Sequence, residues 1–261
     1  MKNINNSLKI KGVEKFRNVL FKNDFKSIQE IILSLFEKYG GKEFKKFDSK
    51  NFLNNDQFHI KAIELRKKNK VAFGKFYDVI QNTALIYKFF TGKKILNLIK
   101  NKLKISSDNL IIYPCFLRMD PPADERNSLD WHQDSLIEEI NHSYIDAYTL
   151  WIPLQDVDYD NGSCFFCIGS QFKRYKKNLT KKNPRDPFTS KSLGIPDRII
   201  QKFKSIEVPA KKGDVVAFTL NTLHKSGVNR SQKIRFTLIC RVYNLNSRCY
   251  IPGKTTYIRS I

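Results

Sequence analysis

The chain has 261 residues, 41% of them hydrophobic, and its 47 Lys plus Arg outweigh 25 Asp plus Glu to give a formal net charge of +22. That length is enough to bury a proper core, and no apolar run reaches the length of a membrane span. The opening Met1-Lys-Asn-Ile-Asn-Asn has no apolar signal stretch, and the five cysteines are odd in number and irregularly spaced, so a reduced, cytoplasmic protein is expected.

Residues 1–105 read as mostly helical. Phe25, Ile28, Ile31, Ile32, Leu35 and Phe36 follow the 3.6-residue period, and Gly40-Gly41 closes that helix. A second helical stretch runs through Val79, Leu85, Ile86, Phe89 and Phe90. After Thr91-Gly92 a third carries Leu96, Ile99 and Leu103. Between the first two, the charge run Arg66-Lys-Lys-Asn-Lys70 reads as an exposed turn. From Leu110 the pattern changes to short β-rich runs bounded by Pro, Gly, Asn and Asp, with candidate strands at 110–118, 130–134, 145–152, 163–168, 214–219 and 234–243. The fold class expected is α+β with a mainly β core. The core would be a jelly roll of short antiparallel strands in two sheets, with the helices covering the outer face of one. One unit spanning 1–261 follows: a helical portion to 105, the jelly-roll core over 106–243 and a tail from 244. The link at Ser106-Ser-Asp-Asn109 is too short for independent domains.

Chemistry concentrates in four residues. His132 and Asp134, in Trp131-His-Gln-Asp134, stand at i and i+2, so on a strand both side chains would project from one face. His224 follows the short strand Asp214-Val-Val-Ala-Phe-Thr219. Two imidazoles and one carboxylate with open positions left over is the ligand set of non-heme Fe(II) oxygenases. Arg235, eleven residues past His224, supplies a planar fork for an acidic co-substrate. The other two histidines, His59 and His142, have no such context. Cys164-Phe-Phe-Cys167 has the C-x-x-C form but lies in an apolar strand with no second pair, and reads as packing.

Trp131-His132-Gln-Asp134, Trp151-Ile-Pro-Leu154, Asn161-Gly162-Ser, Ile168-Gly-Ser-Gln171, His224-x-Ser226-Gly-x-Asn229 and Arg235 together resemble the phytanoyl-CoA dioxygenase family of Fe(II)/2-oxoglutarate oxygenases. The motifs lie between residues 110 and 243, about half the chain. The resemblance implies a double-stranded β-helix (jelly roll, cupin-like). It implies His132, Asp134 and His224 as iron ligands, Arg235 with Ser226 on the distal carboxylate of 2-oxoglutarate, and Trp151 beside that co-substrate. Fe(II), 2-oxoglutarate and O2 would be required, giving succinate, CO2 and hydroxylation of an unactivated C–H bond. A carboxylate at 134, where related halogenases carry a small residue, argues for hydroxylation. Gln171 departs from the family, which usually has histidine there in a structural position.

Substrate signals are thinner. Tyr113 shares the strand that precedes the metal motif and is a candidate for the co-substrate pocket. Arg118 either faces the active-site mouth or pairs with Asp120. Residues 172–204 hold 11 basic and two acidic side chains, among them Lys173, Arg174, Lys176, Lys177 and Arg185, and are long enough for a lid. Residues 1–105 hold 24 basic and nine acidic. An anionic small molecule is the expected partner: a CoA or carrier thioester, a nucleotide-sugar or another biosynthetic intermediate. The alternatives are a nucleic-acid-directed oxygenase and a non-catalytic binding module. The first lacks an aromatic stacking platform amid the basic segments; the second leaves an intact triad and Arg235 unexplained. Such a surface also permits weak contact with an anionic membrane. His132→Ala and Asp134→Ala are both expected to abolish turnover and leave the fold intact.

Overall fold

The computed structural model describes residues 6–123, 129–137, 146–175, 178–179 and 193–247. The helical part opens with α1 (Asn6–Lys11) and then α2 (Lys26–Gly40), which buries Ile28, Ile32, Leu33, Leu35 and Phe36 along one face. It continues with α3 (Asp56–Lys68), α4 (Lys70–Gln81), α5 (Ala84–Phe90) and α6 (Lys93–Leu98), the last running on into a wider π-type turn to Leu103. The Asn55 side chain accepts from the Gln57 and Phe58 amides, and Asn69 accepts from Ala72, so each caps the start of a helix. The charge run is therefore a helix end: Asn69 is the break, while Arg66 is buried with its guanidinium 5.5 Å from the Phe73 ring. The stretch expected to be one helix through Val79–Phe90 is two. Asn82 Nδ2 donates to Asp78 O (2.7 Å) and Thr83 Oγ1 to Ile80 O (2.8 Å), satisfying terminal carbonyls that another helical turn would have used.

Two sheets form the β part. The larger, in the order β1-β8-β3-β10-β2, comprises β1 (Val13–Phe16), β2 (Leu110–Asp120), β3 (Ala147–Pro153), β8 (Val215–Thr219) and β10 (Arg235–Asn244). The smaller, in the order β7-β4-β9, comprises β4 (Cys164–Cys167), β7 (Ser205–Val208) and β9 (His224–Lys225). A separate pair joins β5 (Asn178–Leu179) to β6 (Leu193–Gly194). Short helices α7 (Asp134–Ile137) and α8 (Asp197–Ile200) complete the set. All strand pairs are antiparallel. The strands expected at 110–118, 145–152, 163–168, 214–219 and 234–243 are present to within a few residues. The one expected at 130–134 is not: His132 makes a single bridge to His224, and Asp134 opens α7. Strand β1, inside the part read as helical, forms an edge of the larger sheet.

Strand alternation sorts the core. Leu117 and Met119 of β2, Leu150 and Ile152 of β3, Val215 and Ala217 of β8, and Phe236, Leu238 and Cys240 of β10 meet the helices in one apolar cluster. Their neighbours Phe116, Trp151, Val216, Phe218 and Ile239 turn the other way, toward Cys164 and Phe166 of the smaller sheet. The second surface is the barrel interior. Cys164 and Cys167, three apart on a strand, face opposite sides, so they cannot share a ligand; all four described cysteines are free and buried. Phe36 anchors the helical side, with ring centroids 4.4 Å from Phe76, 4.9 Å from Phe58 and 5.1 Å from Phe44. Phe36→Ala is expected to cost about 3–5 kcal/mol in urea unfolding, since no neighbour can refill the space. A loss below about 1 kcal/mol would mean this cluster does not hold the fold.

Candidate active site

His132 and His224 exchange backbone hydrogen bonds, each amide donating to the other's carbonyl at 3.0 Å. This puts their side chains on one side, with ring centroids 4.2 Å apart. His132 Nδ1 lies 2.7 Å from Asp130 O and His224 Nδ1 lies 2.9 Å from Thr222 O. A carbonyl only accepts, so both rings carry their proton on Nδ1 and turn a bare Nε2 inward. Asp134, placed by the Ser135 amide donating to Leu220 O, brings Oδ1 to 3.6 Å from His132 Nε2 and 3.8 Å from His224 Nε2. One donor atom from each of the three buried residues lies within 4.8 Å of the others. Two lone pairs and a carboxylate oxygen turned on one another are a repulsive cluster unless a cation sits among them, so this donor set fits the divalent metal of the facial triad.

Two further residues hold Asp134. Thr149 Oγ1 donates to Oδ2 at 2.5 Å, and Arg241 Nη2 donates to Oδ1 at 3.1 Å. Burial alone would raise the Asp134 carboxyl, but Arg241, then His224 and His132, hold it well below the usual carboxylate range. Burial and the neighbouring His132 push the His224 imidazole down to about 3, so it stays neutral as a ligand must be. Sequence reasoning passed over both Thr149 and Arg241. The signal was parity: Thr149 is two residues from Trp151 and Arg241 six from Arg235, so each shares its strand's inward face.

His59 is a core histidine instead. Its Nε2 donates to Leu53 O (2.9 Å), its Nδ1 accepts from the Ile234 amide (3.0 Å), and burial lowers its pKa. A histidine depressed in the folded state binds its proton only after unfolding below the ordinary value of about 6.5. Stability of the metal-free protein is therefore full above about pH 6.5 and falls as pH drops through the range below it. Each of His59 and His224 adds a slope of up to about 1.4 kcal/mol per pH unit. Urea midpoints measured from pH 7.5 to 5 should decline; a flat profile would show that these rings are not buried neutral.

Asp120 organises the other end of the interior. Arg235 reaches its Oδ2 through Nη2 (2.8 Å) and Nε (3.2 Å), and Arg118 Nη2 reaches its Oδ1 at 3.0 Å. Both arginines oppose the effect of burial and lower the Asp120 carboxyl. Ser226 Oγ accepts from Arg118 Nη1 at 3.4 Å. Asn229 Nδ2 donates to Asp120 O (2.8 Å) and Lys233 O (2.7 Å), shaping the turn between β9 and β10. Gly162, at φ +92°, has no room for a side chain: a Cβ would stand 2.6 Å from Arg235 Nη1 and from Gly227 O. Trp151 is buried in the interior wall.

The remaining candidates lie elsewhere. Tyr113 is 61% exposed, at the point where β2 carries an extra residue against β10 and the register slips, so its ring does not line the interior. Arg118 takes the paired alternative. Lys173 is exposed and Arg174 half-buried, near Tyr175 on the outer face of the smaller sheet, with the Lys173 ammonium 5.7 Å from the Tyr175 ring. Lys176, Lys177, Arg185 and most of the expected lid lie outside the described residues, as do His142 and Cys249. Gln171 donates to Lys9 O (2.8 Å) and Ile10 O (3.2 Å), tying its turn to α1.

The family model described as phytanoyl-CoA dioxygenase (PhyH) matches residues 28–237. The chain belongs to this family. Its cofactors are accordingly Fe(II), 2-oxoglutarate and O2, and it is an Fe(II)/2-oxoglutarate-dependent oxygenase. Solved structures of similar fold include the non-heme α-ketoglutarate-dependent epimerase SnoN from nogalamycin biosynthesis, at 14% identity, TM-score 0.56, over 92% of this chain and 79% of that one. EctD from S. alaskensis aligns at 13% identity, TM-score 0.60, over 95% and 78%. AviO1 from Streptomyces viridochromogenes aligns at 12% identity, TM-score 0.58, over 97% and 100%. These likenesses establish the double-stranded β-helix fold. No match was found among curated proteins. Among the described residues, no helix is long and apolar enough to cross a membrane.

Proposed function

We propose that this PhyH-family oxygenase hydroxylates an unactivated C–H bond of an anionic small molecule, with His132, Asp134 and His224 as the iron ligands. The observation that carries the assignment is the convergence of two bare Nε2 atoms on Asp134 Oδ1. Bound Fe(II), with 2-oxoglutarate and O2, supplies an oxidant strong enough for such a bond and releases succinate and CO2. The chain's own work is positioning. The carbonyls of Asp130 and Thr222 hold the imidazoles in the ligating tautomer, and Thr149 fixes the Asp134 oxygen that does not face them. Arg235, with Ser226, takes the distal carboxylate of 2-oxoglutarate, and Trp151 walls the co-substrate. The apolar interior of Phe116, Phe166, Phe218 and Ile239 excludes water from the reacting bond. Retention of a carboxylate at 134 supports hydroxylation. Suitable substrates are a CoA or carrier thioester, a nucleotide-sugar or a related biosynthetic intermediate.

Anaerobic addition of Fe(II) and 2-oxoglutarate is expected to give the visible metal-to-ligand charge-transfer band, and His224→Ala to lose it. A wild-type protein that binds no iron and shows no band would overturn the assignment and return the barrel to a binding role.

A further inference from the structure

Arg241 is a buried cation inside the barrel with no part in holding 2-oxoglutarate by its distal end. It lies on the inward face of β10 opposite Thr149, six residues from Arg235. Its guanidinium carbon stands 6.0 Å from the Phe116 ring and its Nη2 3.1 Å from Asp134 Oδ1. The balance of charge at each end of the interior gives it a task. At the Asp120 end, Arg118 and Arg235 share one carboxylate, leaving one surplus positive charge. The distal carboxylate of 2-oxoglutarate cancels it. At the metal end Arg241 and Asp134 balance each other. A divalent metal then adds two positive charges, and the keto-acid carboxylate of the co-substrate removes one. One positive charge stays uncompensated in a water-poor interior, where an unpaired charge is costly.

We propose that Arg241 receives a carboxylate or phosphate group of the primary substrate, an assignment that rests on the metal-site reading above. A guanidinium has five N–H donors in a planar fork and can hold a second anion beside the first. Because one of its nitrogens already touches a metal ligand, a group bound there sets the adjoining carbon skeleton next to the metal. Anion recognition thus sits on the rigid strand β10 inside the barrel. A neutral substrate of the same shape would leave the surplus charge standing and would bind less tightly.

The test uses the anaerobic protein loaded with Fe(II) and 2-oxoglutarate, titrated separately with propionate and methyl phosphate while the charge-transfer band is followed. Wild type should show a saturable band shift with at least one anion, and the anion that shifts it names the substrate group. Arg241→Met should weaken that titration about tenfold or more, and Arg241→Lys, which keeps the charge, should restore part of it. A wild-type band that neither anion moves overturns the proposal, as does an equal titration in Arg241→Met. Bleaching instead of a shift would mean displacement of 2-oxoglutarate from Arg235 and would also overturn it. Absence of the band in wild type would instead sink the metal-site reading, and this inference with it.

Discussion

His132→Ala abolishes 2-oxoglutarate turnover while the protein stays folded, whereas Asp134→Ala abolishes turnover and also weakens the fold. That is the expected result, and the two halves have different causes. Each substitution removes one of three donors, and a site that has lost a ligand no longer holds Fe(II) in a productive geometry. His132, however, spends its other nitrogen only on the Asp130 carbonyl, and its backbone bridge to His224 survives the change. Asp134 is the counter-charge of buried Arg241. Removing it strands a guanidinium in the interior, a defect worth about 3–5 kcal/mol. The equal tolerance of both substitutions expected from the sequence is therefore corrected by this ion pair. Succinate release and urea unfolding measured on both variants decide the matter. Wild-type succinate production in His132→Ala would remove it from the ligand set, and unchanged stability in Asp134→Ala would show that the Arg241 contact carries no energy.

Arg235→Ala should raise the 2-oxoglutarate requirement by roughly 10- to 150-fold, the equivalent of about 1.5–3 kcal/mol for a charge-assisted contact. The Asp120 arrangement sharpens the expectation. With Arg235 gone, Arg118 and Asp120 remain as a balanced pair, and the surplus positive charge that would draw the distal carboxylate disappears. Asp120→Asn should do the reverse. Two arginines would then face each other with no carboxylate between them, so stability should fall by about 3–5 kcal/mol while attraction for the dianion persists. Titrating the charge-transfer band with 2-oxoglutarate separates the two. An unchanged midpoint in Arg235→Ala would end its assignment to the distal carboxylate.

The sequence by itself determined the kinds of element and the chemistry of the site. Amphipathic stripes and short β runs placed α2 and most of the strands because burial imposes a period on each, 3.6 residues for a helix and two for a strand. The metal-site residues were legible because a ligand set needs particular side-chain types, and few others serve. Tertiary structure decided how those residues meet. His132 and Asp134 do not converge as neighbours on a strand; one is a bridge to His224 and the other the first residue of a short helix. Strand β1 was hidden because a four-residue edge strand, Val13–Phe16, makes too short a pattern to stand out among helices. The extra residue in β2 that leaves Tyr113 exposed is a fact of register against β10, which a single strand does not encode. The partners of the buried charges, Arg241 with Asp134 and Arg118 and Arg235 with Asp120, lie far apart in sequence. Only the packing of the larger sheet against the His132–His224 bridge brings them within hydrogen-bond reach, because a buried charge takes its partner from whatever strand lies opposite.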